Sequence, residues 1–339
     1  MVAPATLRID ADELKSVEWT IERLADEFDT VESEAFLRAV TLASHELPVR
    51  IRAELLDFKM LEPNGALLIQ GLPVDDAAIG PTPFGHGQPA DEKATLWHDI
   101  AFFLFASCLG DPIGWETYQQ GRLLQHVAPR PGHEADQTST GSVTKLEWHT
   151  EEAYHPFRPE YLGLMCLRNP DNVATTLAQM ADLRLSAEDL ALLCQERFVI
   201  RPDEAHILRR DEVPGLAGRM TSFNRIDRMN AAPEPVALIF GAEDRPYLRV
   251  DPYYMDMPEQ DEFAAAFAKL CAEIETHLQD VALQPGEILF LDNWRTVHGR
   301  KAFRARYDGR DRWLKRLSLT RDLRKSRSMR ASVNGRSIG

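Results

Sequence analysis

Cysteine is scarce in this chain: Cys108, Cys166, Cys194 and Cys271 lie far apart and form no CxxC pair. A disulfide scaffold is not what holds such a chain together, and a reducing cytoplasm is the expected compartment. Long apolar runs are lacking too. The longest, residues 100–109, is about half of the roughly 20 residues a bilayer span requires. Arg8, Asp10, Asp12, Glu13 and Lys15 precede any apolar run, so no secretory h-region forms. No membrane partner is expected. Positive charge is also short: 39 Lys and Arg against 53 Asp and Glu leave a formal net charge of −14. That field disfavours nucleic acid as a partner and suits a small, cationic ligand.

What the chain does have is a hydrophobic content of 44% over 339 residues, enough to bury a sizeable core. Apolar residues at helical spacing, Leu14, Val17, Ile21 and Leu24, then Phe36, Val40 and Leu42, predict two or three N-terminal helices. Residues 65–71 read as a buried strand between glycines, and 95–109 as an amphipathic stretch. Residues 110–150 are polar and rich in turn signals, a long loop of the kind that carries function. Helical patterns return at 186–196 and 259–279, strand patterns at 236–240, 247–250, 287–292 and 313–320. With no repeat or internal linker, this predicts one domain over residues 1–323, mostly β with flanking helices, and a mobile basic tail over 324–339. Two segments with weak patterns, 80–91 and 209–232, are candidate lids, the second the better placed.

The chemistry centres on Trp148-His149-Thr150-Glu151. On a strand, residues two apart share a face, so His149 and Glu151 can converge on one metal ion. His298, after the strand-like run 285–293, can supply a third ligand. Two imidazoles and a carboxylate form the facial triad of non-haem iron(II) oxygenases, with positions left open for a 2-oxo acid and dioxygen. An H-x-E tripeptide by itself is usually only a polar loop. Its weight here comes from Arg312, fourteen residues beyond His298, where a guanidinium can clamp the far carboxylate of 2-oxoglutarate, and from Arg316, two pleats along the same face.

With His149-x-Glu151, His298-Gly299-Arg300 and the closing run 307–316, the sequence resembles the clavaminate synthase-like family of Fe(II)/2-oxoglutarate-dependent oxygenases. It looks most like the amino-acid hydroxylase branch, with its arginine, asparagine and lysine hydroxylases. The resemblance implies a double-stranded β-helix, or jelly roll, with His149, Glu151 and His298 holding iron at one open end. It implies Arg312 and a strand threonine, Thr176 in preference to Thr175, around 2-oxoglutarate. Arg316, Ser139, Gln119 (with Tyr118 the alternative) and the second oxygen of Glu151 would receive the backbone groups of a free amino acid.

For the side chain, arginine-acting relatives carry D-x-D where this chain has Asp251-Pro-Tyr253, so one carboxylate and a tyrosine remain. The ordinary alternative for Asp251 is a turn cap before Pro252. Read as a pocket, this set places lysine slightly ahead of arginine, with hydroxylation at the β-carbon or else the γ-carbon. Other readings are an oxygenase of a carrier-tethered or neutral amino acid, a jelly-roll isomerase or hydrolase, and a binding module without catalysis. Homo-oligomerisation stays open.

Overall fold

In the computed structural model, residues 3–84, 91–207 and 216–339 are described, the side chains of 216–218 excepted. Three helices open the chain, Ala11–Glu27, Glu34–Ala43 and Val49–Met60. Asp10 and Glu13 form a reciprocal capping box at the start of the first, satisfying backbone donors that a helix start leaves open. These helices bury Val17, Ile21, Phe36, Val40, Ile51 and Leu55 against the helix Glu92–Ala106. That helix covers most of the stretch 95–109 expected to be amphipathic, but its second half has no polar face to solvent. Residues 98–106 are all buried, because it lies between the N-terminal helices and a large sheet.

The large sheet runs in the order Ala5–Arg8, Ala66–Gln70, Ile288–Asp292, Tyr161–Arg168, Trp313–Thr320, Asp111–Trp115, Ser337–Ile338, with Gln125–Val127 also paired to Trp313–Thr320. A smaller sheet orders Gln279–Val281, Thr175–Gln179, Thr296–Arg300 and Leu146–His149. Gly163 marks where the buried helix meets the large sheet: a Cβ there would sit 2.8 Å from the Phe102 ring. The strand Trp313–Thr320 shows what the alternation of side chains does for function. Leu314 and Arg316 line a cavity on one face. On the other, Lys315 is buried with Asp99 and Thr95 of the helix, each charge satisfied by the other.

The expected mobile tail is a correction. Ser337–Ile338 pairs in parallel with Gly114 and Trp115, Ile338 is buried beside Ile113, Trp115 and Tyr118, and the Arg330 guanidinium donates to four backbone carbonyls. A segment without periodicity has thus been held by edge pairing and one apolar anchor. Of the candidate lids, 85–90 and 208–215 lie outside the described residues, and Leu216–Ala231 is a helix. No helix among the described residues is long and apolar enough to cross a membrane.

Candidate active site

His298 and His149 face each other across the smaller sheet as directly paired residues, their ring centroids 4.5 Å apart. Past them the register slips, so that Arg300 pairs with Leu146. This bulge leaves Gly299 under Leu146 and Trp148, where a Cβ would come within 2.6 Å of the Leu146 carbonyl oxygen. Only glycine allows the strands to close so tightly beside the two imidazoles. His149 Nδ1 lies 2.8 Å from the Glu147 carbonyl, which turns its Nε2 towards Glu151.

Glu151 is not on the strand, as the sequence pattern suggested; the strand ends at His149 and a turn follows. Its place is set by Asn293, whose side-chain oxygen accepts from the Glu151 N–H at 2.6 Å and whose amide donates to the carbonyls of Glu151 and Pro159. Asn293 does for the turn what a neighbouring strand would have done. Nothing in the tripeptide announces it.

Glu151 Oε2 lies 3.3 Å from His298 Nε2 and 3.7 Å from His149 Nε2, and it is buried with no hydrogen-bond partner. Ligand atoms of the three residues all fall within 4.8 Å of one another. Burial works against charge on His149, but the carboxylates of Glu151 and Asp251 outweigh it and push the imidazole up to about 9. Burial and His149 together push His298 down to about 4. One charged and one neutral imidazole around an unsatisfied carboxylate oxygen is the arrangement that a divalent ion would resolve.

Arg312 is buried and, among the described residues, its Nε has no acceptor; its guanidinium donates to Thr175 Oγ1 at 3.4 Å. Burial lowers its guanidinium to about 10. A guanidinium left this poorly paired beside a triad is ready for an anion. Thr175, and not the expected Thr176, faces it: Thr175 pairs with Arg300 and lines the cavity, whereas Thr176 Oγ1 packs over Gly299 on the other face. Strand alternation decides between the neighbours, and the sequence alone had not fixed the phase.

Arg316 enters the same cavity over the Tyr118 ring, with Nη1 2.7 Å from Glu151 Oε1 and Nε donating to Gln125 at 2.8 Å. The Glu151 oxygen that was expected to meet an ammonium is here held by Arg316. Ser139 lines the cavity and its hydroxyl is 2.9 Å from that of Tyr118. Gln119 does not line it: its amide is engaged by the backbone of His126 and by the Tyr118 hydroxyl, so Tyr118 takes this position.

Asp251 and Tyr253 also line the cavity, Tyr253 half-exposed. Thr150 holds Asp251 in place by bonding Val250 through both its N–H and its hydroxyl. Asp203, which sequence reasoning missed, lies in the same wall; its Oδ1 accepts from the Ala205 N–H and the Tyr254 hydroxyl. Burial pushes Asp251 up to about 7, and Asp203 pushes it in the same direction. Two carboxylates thus share the lining of the cavity that holds the triad, near enough to act on each other and on His149.

Comparison with known proteins agrees with this geometry. Residues 100–318 match the family described as taurine catabolism dioxygenase TauD, TfdA family. The chain belongs to the TauD/TfdA dioxygenase family. It is therefore an oxygenase of the class its motifs resemble. It is 44% identical to an enduracididine beta-hydroxylase from Streptomyces hygroscopicus, over 98% of this chain and 99% of that one. An L-ornithine/L-arginine 3-hydroxylase from Catenulispora acidiphila is 39% identical, with the same coverage. Among solved structures, the non-heme iron oxygenase OrfP in complex with iron, succinate and (3S)-hydroxy-L-arginine superimposes with a TM-score of 0.91 at 35% identity, over 98% of this chain and 99% of that one.

Proposed function

We infer that this TauD/TfdA enzyme hydroxylates a free L-amino acid with a guanidino side chain at its β-carbon, using iron(II) and 2-oxoglutarate. The observation that carries the substrate class is the pair of carboxylates, Asp203 and Asp251, in the lining of the cavity that holds the triad. One guanidinium has donors on two edges, and two acids can take both; a single acid and a tyrosine, as the sequence alone suggested, leave one edge open. The order that put lysine before arginine finds no support in the relatives, which act on enduracididine, ornithine and arginine.

In this reading the sheets form a jelly roll acting as one domain. His149, Glu151 and His298 hold iron, and Arg312 with Thr175 anchors the far carboxylate of 2-oxoglutarate. The bound pair supplies the chemistry: one oxygen atom of dioxygen is inserted into a C–H bond, while the other leaves in succinate as 2-oxoglutarate loses carbon dioxide. The rest is positioning. Arg316 has donors beyond those committed to Glu151 and Gln125 and receives the α-carboxylate, with Ser139 and Tyr118 beside it. Asp203 and Asp251 hold the other end, so the carbon over the metal is selected by the span between two charged anchors. Incubating the twenty common amino acids with enzyme, iron(II), ascorbate and 2-oxoglutarate, and reading products by mass spectrometry, tests this. Arginine should gain one oxygen and form stoichiometric succinate. Faster conversion of a neutral amino acid would overturn it.

A further inference from the structure

One buried histidine outside every motif ties together three of the segments that line the cavity. His206 sits in the short helix Glu204–Ile207 and is 2% exposed. Its Nδ1 lies 2.6 Å from Thr117 Oγ1, and its Nε2 lies 3.1 Å from Glu152 Oε1. Thr117 precedes Tyr118, and Glu152 follows the metal ligand Glu151 directly. The His206 N–H bonds the carbonyl of Asp203. Segments at 117–118, 151–152 and 203–206 therefore meet on a single imidazole.

Glu152 adds a second observation. Its φ is +53°, in the left-handed region that a residue with a Cβ rarely adopts, and its buried Oε2 has no hydrogen-bond partner. Such a backbone persists only where its surroundings hold it. His206 holds its side chain, and the His155 N–H bonds its carbonyl. A strained residue next to a metal ligand is thus tied, through His206, to the segment that carries Asp203.

We propose that His206 is a positioning residue that sets the distance from the metal triad to the Asp203 carboxylate, and so decides which carbon of the substrate is presented. It lines the cavity, with its ring nitrogens committed to Thr117 and Glu152 and not to the metal triad. This rests on the functional reading above, since it assigns Asp203 to the substrate side chain.

The test compares wild type with His206→Leu, His206→Gln and Thr117→Val. Arginine binding is measured by anaerobic calorimetry on protein loaded with iron(II) and 2-oxoglutarate, and hydroxyarginine formed per succinate is measured under turnover. His206→Leu should weaken arginine binding about tenfold or more and lower the product-to-succinate ratio, with hydroxylation spreading to the neighbouring carbon. Its KM for 2-oxoglutarate should stay within about twofold, because the Arg312 end shares none of these contacts. His206→Gln, which can keep one hydrogen bond, should restore part of both losses.

A folded His206→Leu with wild-type arginine affinity, coupling and product position overturns the proposal, as does an equal loss of affinity for both substrates. If His206→Leu does not fold, Thr117→Val and His206→Gln decide the matter, and wild-type values in both overturn it. If the wild type binds no basic amino acid, it is the functional reading that has failed. The positioning role is then judged by the same ratios on the amino acid identified from the panel.

Discussion

At the metal end of the cavity, His298, His149 and Thr175 stand on hydrogen-bonded strands of one sheet, and Arg312 leads into a strand of the other. Around the place of the amino acid, Asp203, Asp251 and Tyr118 come from turns distant in sequence, joined by side-chain bonds through Thr150 and His206. Backbone ladders fix the first set with little help from particular side chains. The second depends on a few polar contacts, each of which can change separately. A family can in this way keep one oxidising centre and vary the amino acid it receives.

The largest expected effect falls at the ladder end. His149→Ala or His298→Ala should abolish iron retention after dialysis and succinate formation, with thermal unfolding close to wild type, because the rings project from a sheet that other residues hold. Substantial turnover by either variant in metal-scrubbed buffer would remove the triad assignment. Arg312→Ala comes next. Losing a charge-assisted contact of about 1.5–3 kcal/mol should raise the KM for 2-oxoglutarate roughly ten- to hundredfold and leave that for arginine far less changed. Parallel rises would erase the division between the two ends.

That division also accounts for what was legible in the sequence. His149, Glu151, His298, Arg312 and Arg316 could be named because a metal triad and its clamp need fixed residue types on strands or just beyond their ends, where Glu151 and Arg312 lie. The phase of a strand could not be read, so Thr176 was chosen where Thr175 faces Arg312. Asn293 and His206 carry no local signal, since their partners lie 142 and 89 positions away. Asp203 stands 48 residues before Asp251, and only folding reveals that the second acid comes from there and not from the position of Tyr253. The tail was misjudged for a related reason: pairing on the edge of Asp111–Trp115 needs backbone and one anchor, Ile338, and no periodic pattern.

A moderate effect is expected where side-chain contacts replace ladders. Asp203→Asn and Asp251→Asn should each raise the KM for arginine about tenfold, one charge contact being worth about 1.4 kcal/mol. The wild type adds a pH signature. Burial lifts Asp251 from its ordinary 3.8 to about 7. The native state therefore holds a proton that the unfolded chain has released, and Asp251 lowers stability as pH rises through that interval. A bound guanidinium reverses the preference, since it favours the carboxylate. Arginine should thus bind more tightly, and raise Tm more, at about pH 8 than at about pH 6. Asp251→Asn should flatten this trend; a trend that survives the substitution would place the titrating group elsewhere.

The smallest effect gives the sharpest test of strand phase. Thr175 and Thr176 are neighbours of identical chemistry on one strand, both buried, and they differ only in the face they occupy. Thr175 Oγ1 accepts from Arg312 and lines the cavity. A neutral hydrogen bond to a carboxylate or guanidinium contributes about 1.5 kcal/mol, so Thr175→Val should raise the KM for 2-oxoglutarate roughly tenfold or less, with the arginine KM steady. Thr176→Val removes a hydroxyl that packs over Gly299 of the strand bearing His298. Its effect should appear as a lower Tm and not as a selective change in either KM. The reverse result, with Thr176→Val selective for 2-oxoglutarate and Thr175→Val silent, would mean that the strand presents its other face to the clamp, and that the family's threonine was correctly placed by the motif alone.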